Sequence, residues 1–336
     1  MVPQTVCRRL IFLLLLGALP LAGQQQTDLW VVALHGKFGY INRRGEMVLP
    51  PNFVFAWPFS EGLAAAWVGD RENSKAGYID RSGKFVIGAR FDEARAFHEG
   101  LAAVAIGPNW SFIDHSGERL TPDDYENLHD FSEQRGAFRS KARWGYLDTK
   151  GQTVIPAQYN LAGRFSQGLA WVFRGSHCGF VNLQGQAVIP FQFERCAEFS
   201  EGLAPVEVEE RWGYIDQTGK FQIPPRFVSA LPFSQGLAAV EWRGAWGYIS
   251  PKGQFAIRPR FFSRNGRRAA DGFSEGKACV KLRDKWGFIN PQGELAIAPK
   301  FVQEGKFQGG LADVCDSPSH CGYINGQGQY VWSGDR

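Results

Sequence analysis

Apolar and polar residues alternate along short runs of this chain, and glycine, proline, asparagine and aspartate break the runs. "LAAVEW" at 237–242, "WGYI" at 246–249 and "KFQIP" at 220–224 are typical. Alternation with period two, bounded by turn residues, predicts short β-strands joined by tight turns. The runs also recur in a fixed order. "WGYIDQTGKFQIPPRF" begins at Trp212, and "WGYISPKGQFAIRPRF" begins 34 residues later at Trp246.

Aligned on the glycine of the Trp-Gly pair, the copies stand at Gly39, Gly77, Ser111, Gly145, Gly179, Gly213, Gly247, Gly287 and Gly322. Most steps are 34 residues, with 38, 40 and 35 elsewhere. A fixed period of this size marks a solenoid, propeller or array. An aromatic and then an aliphatic residue follow each time, as in Tyr214-Ile215. A glycine stands five residues after each aromatic, from Gly45 to Gly328, without exception. The turn explains this. Asp80, Asp114, Asp148, Asp216 or an asparagine (Asn42, Asn182, Asn290, Asn325) opens a type I turn through its side chain, and the glycine takes the left-handed residue that closes the hairpin. These acids therefore read as turn formers. Proline then ends a strand at Pro50, Pro122, Pro156, Pro190 and Pro224, where no ladder bond is lost. A connector leads to "FSEGLA", whose copies begin at Phe59, Phe97, Phe131, Phe165, Phe199, Phe233, Phe273 and Phe307.

Each unit thus reads as a three-stranded meander, and nine units of about 34 residues fill the chain. The expected fold is all-β: an open, curved, solenoid-like array. A closed, propeller-like ring is the alternative. Whole units at both ends argue for the open form, because no blade is split between the two termini.

The combination "WGYIDxxGK…IPPxF…FSEGLA" resembles the WG-repeat family, also described as KWG repeats, over roughly residues 29–332. The resemblance implies a β-rich array, commonly bacterial, and no shared catalytic activity. Phe38, Ala76, Cys178 and Cys321 replace the Trp, and the third unit reads "FSEQRGAF".

The first 23 residues differ from the rest. Arg8 and Arg9 precede "LIFLLLLGALPLAG", the layout of a secretory signal peptide cleaved near Ala22 or Gly23. The apolar stretch is short for a membrane span. The domains are then a signal segment, 1–23, and a repeat domain, 24–336. The formal net charge is +4, and removing the segment leaves 35 basic against 33 acidic residues, which is no footprint for nucleic acid. An exported chain can keep disulfides. Cys315 and Cys321 flank a short predicted turn and form the first expected pair; Cys178 and Cys196 form the second, leaving Cys279 as the odd thiol.

Candidate chemistry is sparse. "GFSEG" at 272–276 matches a nucleophile-elbow pattern, but that pattern needs a strand-to-helix turn, and Ser274 is one copy of a repeat in which His98 and Gln308 replace the serine. The following acid alternates between Glu61, Glu99, Glu133, Glu201, Glu275 and the amides Gln167 and Gln235, which suits hydrogen bonding and not acid-base catalysis. "SHCG" occurs around Cys178 and again around Cys321, without further ligands at metal-site spacing. No enzyme activity, metal or cofactor is expected. The Trp-Gly pair reads as packing, because the Trp tolerates replacement by Phe, Ala and Cys. Two insertions break the period: a charged one at 69–74, and "RFFSRNGRRAADGF" with Arg258, Arg260, Arg264, Arg267 and Arg268. That basic cluster is the candidate partner site, since insertions in arrays fall in loops on a working face. The expected function is an exported, periplasmic or extracellular binding or scaffold module for a protein or cell-envelope polymer. A carbohydrate- or cell-wall-binding module using exposed aromatic residues is the alternative.

Overall fold

The computed structural model describes residues 28–335 except 71, 122–124 and 263–267. The predicted signal segment and Cys7 lie outside the described residues. All regular structure among the described residues is β, in nine small antiparallel sheets strung along the chain. We number these blades 1 to 9.

Blade 6 shows how the repeat builds one of them. It contains the strands Arg195–Cys196, Ala204–Val208, Arg211–Ile215 and Phe221–Phe227, paired in that order. Two different turns join the last three. Asp216 accepts hydrogen bonds from the amides of Thr218 and Lys220, and Gly219 follows at φ +85°, as the turn chemistry requires. The hairpin before it is a two-residue turn with Glu209 and Glu210 both at positive φ. The third and fourth strands do not pair evenly. Trp212 faces Phe227, Tyr214 faces Ile223, and a bulge lies between. That bulge explains the repeated glycine of the Trp-Gly pair. A Cβ on Gly213 would lie 2.6 Å from the Ile223 carbonyl oxygen and 2.7 Å from the Pro225 nitrogen. The backbone of the proline strand crosses directly over the glycine. In blade 3, where Ser111 stands at this position, the described residues of the partner segment pair through the single bridges Trp110–Tyr125 and Ile113–Arg119.

Two expectations are corrected. The first concerns strand number. The connector before "FSEGLA" is not plain loop: in blades 2 to 7 it contributes a two-residue strand, such as Leu161–Ala162, and among the described residues six of the nine sheets are four-stranded, blade 9 through Phe307–Gln308. A two-residue strand is too short to leave an alternating pattern in the sequence. The second concerns closure. The array is a ring of nine blades, the form kept as the alternative, and not an open solenoid. Blade 1 consists of β1 (Trp30–Leu34), β2 (Lys37–Ile41) and β3 (Met47–Phe53). Blade 9 meets it across the seam. The Tyr323 hydroxyl donates to the Val31 carbonyl at 2.9 Å, and the Trp30 indole N–H donates to the Gln308 carbonyl at 3.3 Å. Gly45 packs against the Val331 carbonyl. Among the described residues no strand is exchanged between the first and last blades, so whole units at both ends do not prevent closure.

Identical contacts repeated from each blade to the next set a constant rotation, which is what closes a ring. The apolar core lies largely between blades. Tyr214, Ile223 and Phe227 of blade 6 pack with Ala230, Phe233, Ala238 and Val240 of blade 7. The turn glycines sit on the same seams: a Cβ on Gly219 would come 3.1 Å from the Ile189 side chain of the preceding blade.

Candidate functional site

The repeated polar side chains are committed to joining blades. Ser200 donates its hydroxyl to the Phe233 carbonyl at 2.6 Å, and Ser60, Ser132, Ser166, Ser234 and Ser274 make the same bond to the next blade. Ser274, the nucleophile-pattern residue, therefore donates to Phe307 like its counterparts. The acid or amide beside each serine accepts from the next blade's turn. Glu201 takes the Gly236 N–H, and Gln167 takes the Gly202 N–H, both at 2.9 Å. A carboxylate and an amide oxygen accept equally well, which is why the sequence alternates between them. Glu201, Gln235 and Glu275 hold φ near +50°, a conformation costly for any residue with a Cβ. The turn is nevertheless Glu-Gly or Gln-Gly at Glu61, Glu99, Gln167, Glu201, Gln235 and Glu275, because the side chain is needed for the clasp. The buried Tyr214 donates to Leu231 O at 2.8 Å, and burial pushes its hydroxyl well above the usual phenol range.

Trp144, Trp246 and Trp286 of the Trp-Gly pairs are buried; Trp110 and Trp212 are half-buried. Trp144 shares an apolar cluster with Ala162 of the next blade's short strand. Cys178 takes the Trp position in blade 5, and Cys196 takes the small position in blade 6. The two are joined by a disulfide across that blade interface, with S–S 2.13 Å. Cys315 and Cys321 are joined within blade 9, directly opposite each other on paired strands. Cys279 is buried, accepts from the Gly305 N–H at 3.5 Å, and burial raises its thiol to about 12.

The basic cluster separates into different roles. Arg260 donates to the Gly293 carbonyl and lies over the Phe261 ring, so it clamps blade 7 to blade 8. Arg226 does the same for Gly253 one blade earlier. Arg268 pairs with Asp271 at 3.5 Å and Glu304 at 3.1 Å. Arg264 and Arg267 lie outside the described residues. Arg258 is exposed and lines an open concavity of about 640 Å³ with Trp242, Arg243, Phe255 and Phe262. The Arg243 guanidinium lies 5.5 Å from the Trp242 ring centroid, and Phe262 is 59% exposed.

The sequence family can now be placed. A family model described as WG containing repeat matches residues 38–70, 77–107, 144–176, 179–212, 212–241, 246–286 and 286–316. The chain belongs to the WG-repeat family. The stretch between the second and third matches holds Ser111. No curated protein matches this WG-repeat chain. Among solved structures, one described as the eukaryotic initiation factor aligns over 93% of the chain and 96% of its own length, at 10% identity and a TM-score of 0.62. The computationally designed Ika8 protein aligns over 86% of the chain and 96% of its own, at 10% identity and a TM-score of 0.49. BamB from Moraxella catarrhalis aligns over 73% and 87%, at 11% and 0.48. The first likeness supports the fold alone. Among the described residues no helix is long and apolar enough to cross a membrane.

One polar cluster in the WG-repeat ring was not visible in the sequence. Arg95, His129, Arg164 and Glu198 come from the connectors of blades 3, 4, 5 and 6 and line a cavity of about 280 Å³ with Trp171. Arg164 pairs with Asp130 at 2.6 Å, and Arg95 stacks 4.6 Å from the Trp110 ring centroid. His129 is pushed down to about 4, by burial first and then by Arg95 and Arg164. Arg95 and His129 stand one period apart, as do Arg164 and Glu198, but the residue type at those positions changes from blade to blade, so no recurring motif marks them.

Proposed function

We propose that this WG-repeat ring is an exported, non-enzymatic binding or scaffold module for a protein or cell-envelope polymer. One observation carries the reading. The repeated hydroxyls, carboxylates and amides are committed to blade-to-blade bonds, while exposed aromatic and cationic groups gather at a non-repeated place, the concavity of Trp242, Arg243, Arg258 and Phe262. Export is supported by the layout of residues 1–23 and by two disulfides in a chain with one remaining described thiol. Aromatic rings beside cations anchor protein partners well. The test is capture from the native exported fraction by the chain from Gln24, beside an Arg258→Ser, Phe262→Ser version. A specific partner should be lost with the double substitution. Equal capture by both versions refutes this site.

The exposed rings of Phe255 and Phe262, beside the half-buried Trp242, also favour a second reading, carbohydrate or cell-wall binding by stacking on sugar faces. Retention on purified peptidoglycan, lost in Phe262→Ser, would select it. A folded protein that shows no retention would exclude it.

A further inference from the structure

In blades 2 to 8 one connector residue donates its N–H to a carbonyl on the strand that follows the Phe-Ser turn. Trp57 pairs in this way with Ala65, Arg95 with Ala103, His129 with Ala137, Ala197 with Pro205, Leu231 with Ala239 and Asp271 with Cys279. The strand partner is thus alanine in four of these blades and compact in the other two. Blade 5 inverts the sizes. Gly163 stands on the connector and Trp171 on the strand, joined at 2.9 Å.

The two exchanges depend on each other. A Cβ on Gly163 would lie 2.3 Å from Nε1, 2.4 Å from Cε2 and 2.8 Å from Cδ1 of Trp171. Ring atoms so close together around one point place the pyrrole face of the indole flat over the glycine. Gly163 is not at positive φ, so its backbone does not call for glycine. Residue 163 is bare because the indole occupies the space. Trp171 itself stays half-buried.

The cavity of about 280 Å³ opens at this departure from the repeat, bounded by Trp171, Arg95, His129, Arg164 and Glu198. Several of its polar groups are held in place. The Arg95 guanidinium donates to the Leu128 carbonyl and to Asn127 Oδ1, and lies over the Trp110 ring. Arg164 donates to Asp130, and the His129 and Trp144 ring centroids are 4.3 Å apart. The Glu198 carboxylate and the Trp171 indole N–H have no hydrogen-bonded partner among the described residues. Formal charges balance, Arg95 and Arg164 against Asp130 and Glu198, and His129, pushed down to about 4, adds none at neutral pH.

A lining without net charge gives no overall pull to an anion or a cation. An indole beside a guanidinium, an imidazole and a free carboxylate suits a neutral ring with an apolar face and polar groups around its edge. The volume lies at the low end for ligand cavities and admits one such ring.

We infer that this cavity binds one neutral pyranose sugar ring. The C–H face of the sugar lies on Trp171. The Glu198 carboxylate accepts from its hydroxyls, and the Arg164 N–H groups that Asp130 leaves free donate to them. The site belongs to blades 3 to 6. It is independent of the Arg258 concavity and of the sugar reading given for that place.

The test is saturation-transfer difference NMR on the purified chain, with methyl glucoside, methyl galactoside, methyl mannoside and N-acetylglucosamine as probes. At least one should bind saturably, with a dissociation constant of roughly a few millimolar, as ligand efficiency allows for so small a molecule. Trp171→Ala restores the residue that stands there in four other blades, and should weaken binding about tenfold through the lost stacking face. Glu198→Leu changes an exposed side chain, should leave the melting temperature unchanged, and should weaken binding about fivefold through the lost hydrogen bond. Phe262→Ser should leave the affinity unchanged, which separates this cavity from the Arg258 concavity. The proposal is overturned by absence of saturable binding to every probe, by binding that a folded Trp171→Ala or Glu198→Leu protein retains in full, or by loss of binding in Phe262→Ser. Tighter binding of glucuronate, glucosamine or uridine than of every neutral sugar also overturns it.

Discussion

Replacing Gly213 by Ala tests the central geometry of the blade. Gly213 is not at positive φ, so the substitution carries no backbone penalty of its own. The new methyl would lie 2.6 Å from Ile223 O, 2.7 Å from Pro225 N and 2.9 Å from Pro224 C. All three are backbone atoms, and no rotamer change can relieve the overlap. The proline strand must withdraw by roughly half an ångström or more to reach ordinary contact. That movement disturbs the Tyr214–Ile223 and Trp212–Phe227 pairs and lifts Ile223 and Phe227 from the cluster shared with blade 7. Overpacking costs about 1–3 kcal/mol, and each weakened ladder bond costs about 1 kcal/mol, for a total of about 3–5 kcal/mol. Gly236→Ala is the control. Gly236 has φ +79° but no atom within 4 Å of its would-be Cβ, so only the left-handed penalty of about 1–2 kcal/mol applies. Ring arrays need not unfold in one step, so the assay is amide hydrogen exchange across blades 6 and 7, with blade 2 as reference. Exchange should accelerate at Tyr214 and Ile223 far more in Gly213→Ala than it does around Gly236 in the control. Equal or smaller acceleration would refute the crossing-strand explanation for the Trp-Gly glycine.

Glu201→Gln should leave stability within a few tenths of a kcal/mol, whereas Glu201→Ala should cost about 1 kcal/mol, because only the alanine loses the acceptor for Gly236 N–H; urea midpoints separate the two. Glu210→Gly should stabilise by about 1 kcal/mol, since Glu210 sits at φ +59° in a turn that Arg243-Gly244 already builds with glycine second. Reduction, or Cys178→Ser with Cys196→Ser, should lower stability by about 3 kcal/mol on loop-entropy grounds and loosen the blade 5–6 interface first in hydrogen exchange. His129 stays neutral in the fold down to about 4, while the unfolded chain takes the proton near 6.5. Its contribution is therefore full above about pH 6.5 and is lost as pH falls from there toward about 4. His129→Gln should flatten that part of the urea-midpoint profile between pH 7 and 5.

The blade was largely legible in the sequence, because turns and strand ends carry chemical requirements that recur. Gly219 had to be glycine for its φ, and Asp216 had to present an acceptor to the turn amides. The identity of the buried Trp was tolerant, and its variation marked it as packing. The glycine beside it was legible as a close approach, but not what approaches. The ring was not legible, because closure depends on the rotation between blades, and no residue pattern encodes an angle. The Ser-Glu clasps were visible as a motif without their acceptors, which lie about one period away in sequence, as with Ser200 and Phe233. The basic cluster misled for the opposite reason. Five arginines close in sequence read as one patch, yet Arg260 and Arg268 point their charge into neighbouring blades. Arg95, Asp130 and Arg164 drew no reading from the sequence, and the connectors bring them together.

The Ser200, Glu201 and Arg226 clasps each reach from a blade to its successor, to Phe233, Gly236 and Gly253, and Tyr323 of blade 9 reaches Val31 of blade 1 in the same sense. Blade 9 and blade 1 therefore present complementary faces, and only closure after nine steps of about 40° brings the two together in one molecule. A chain held open during folding would offer each face to another copy, and head-to-tail joining of that kind has no natural end. The seam thus acts as a polymerisation terminator, and the yield of monomer on refolding should fall with protein concentration more steeply when Tyr323 is replaced by Phe.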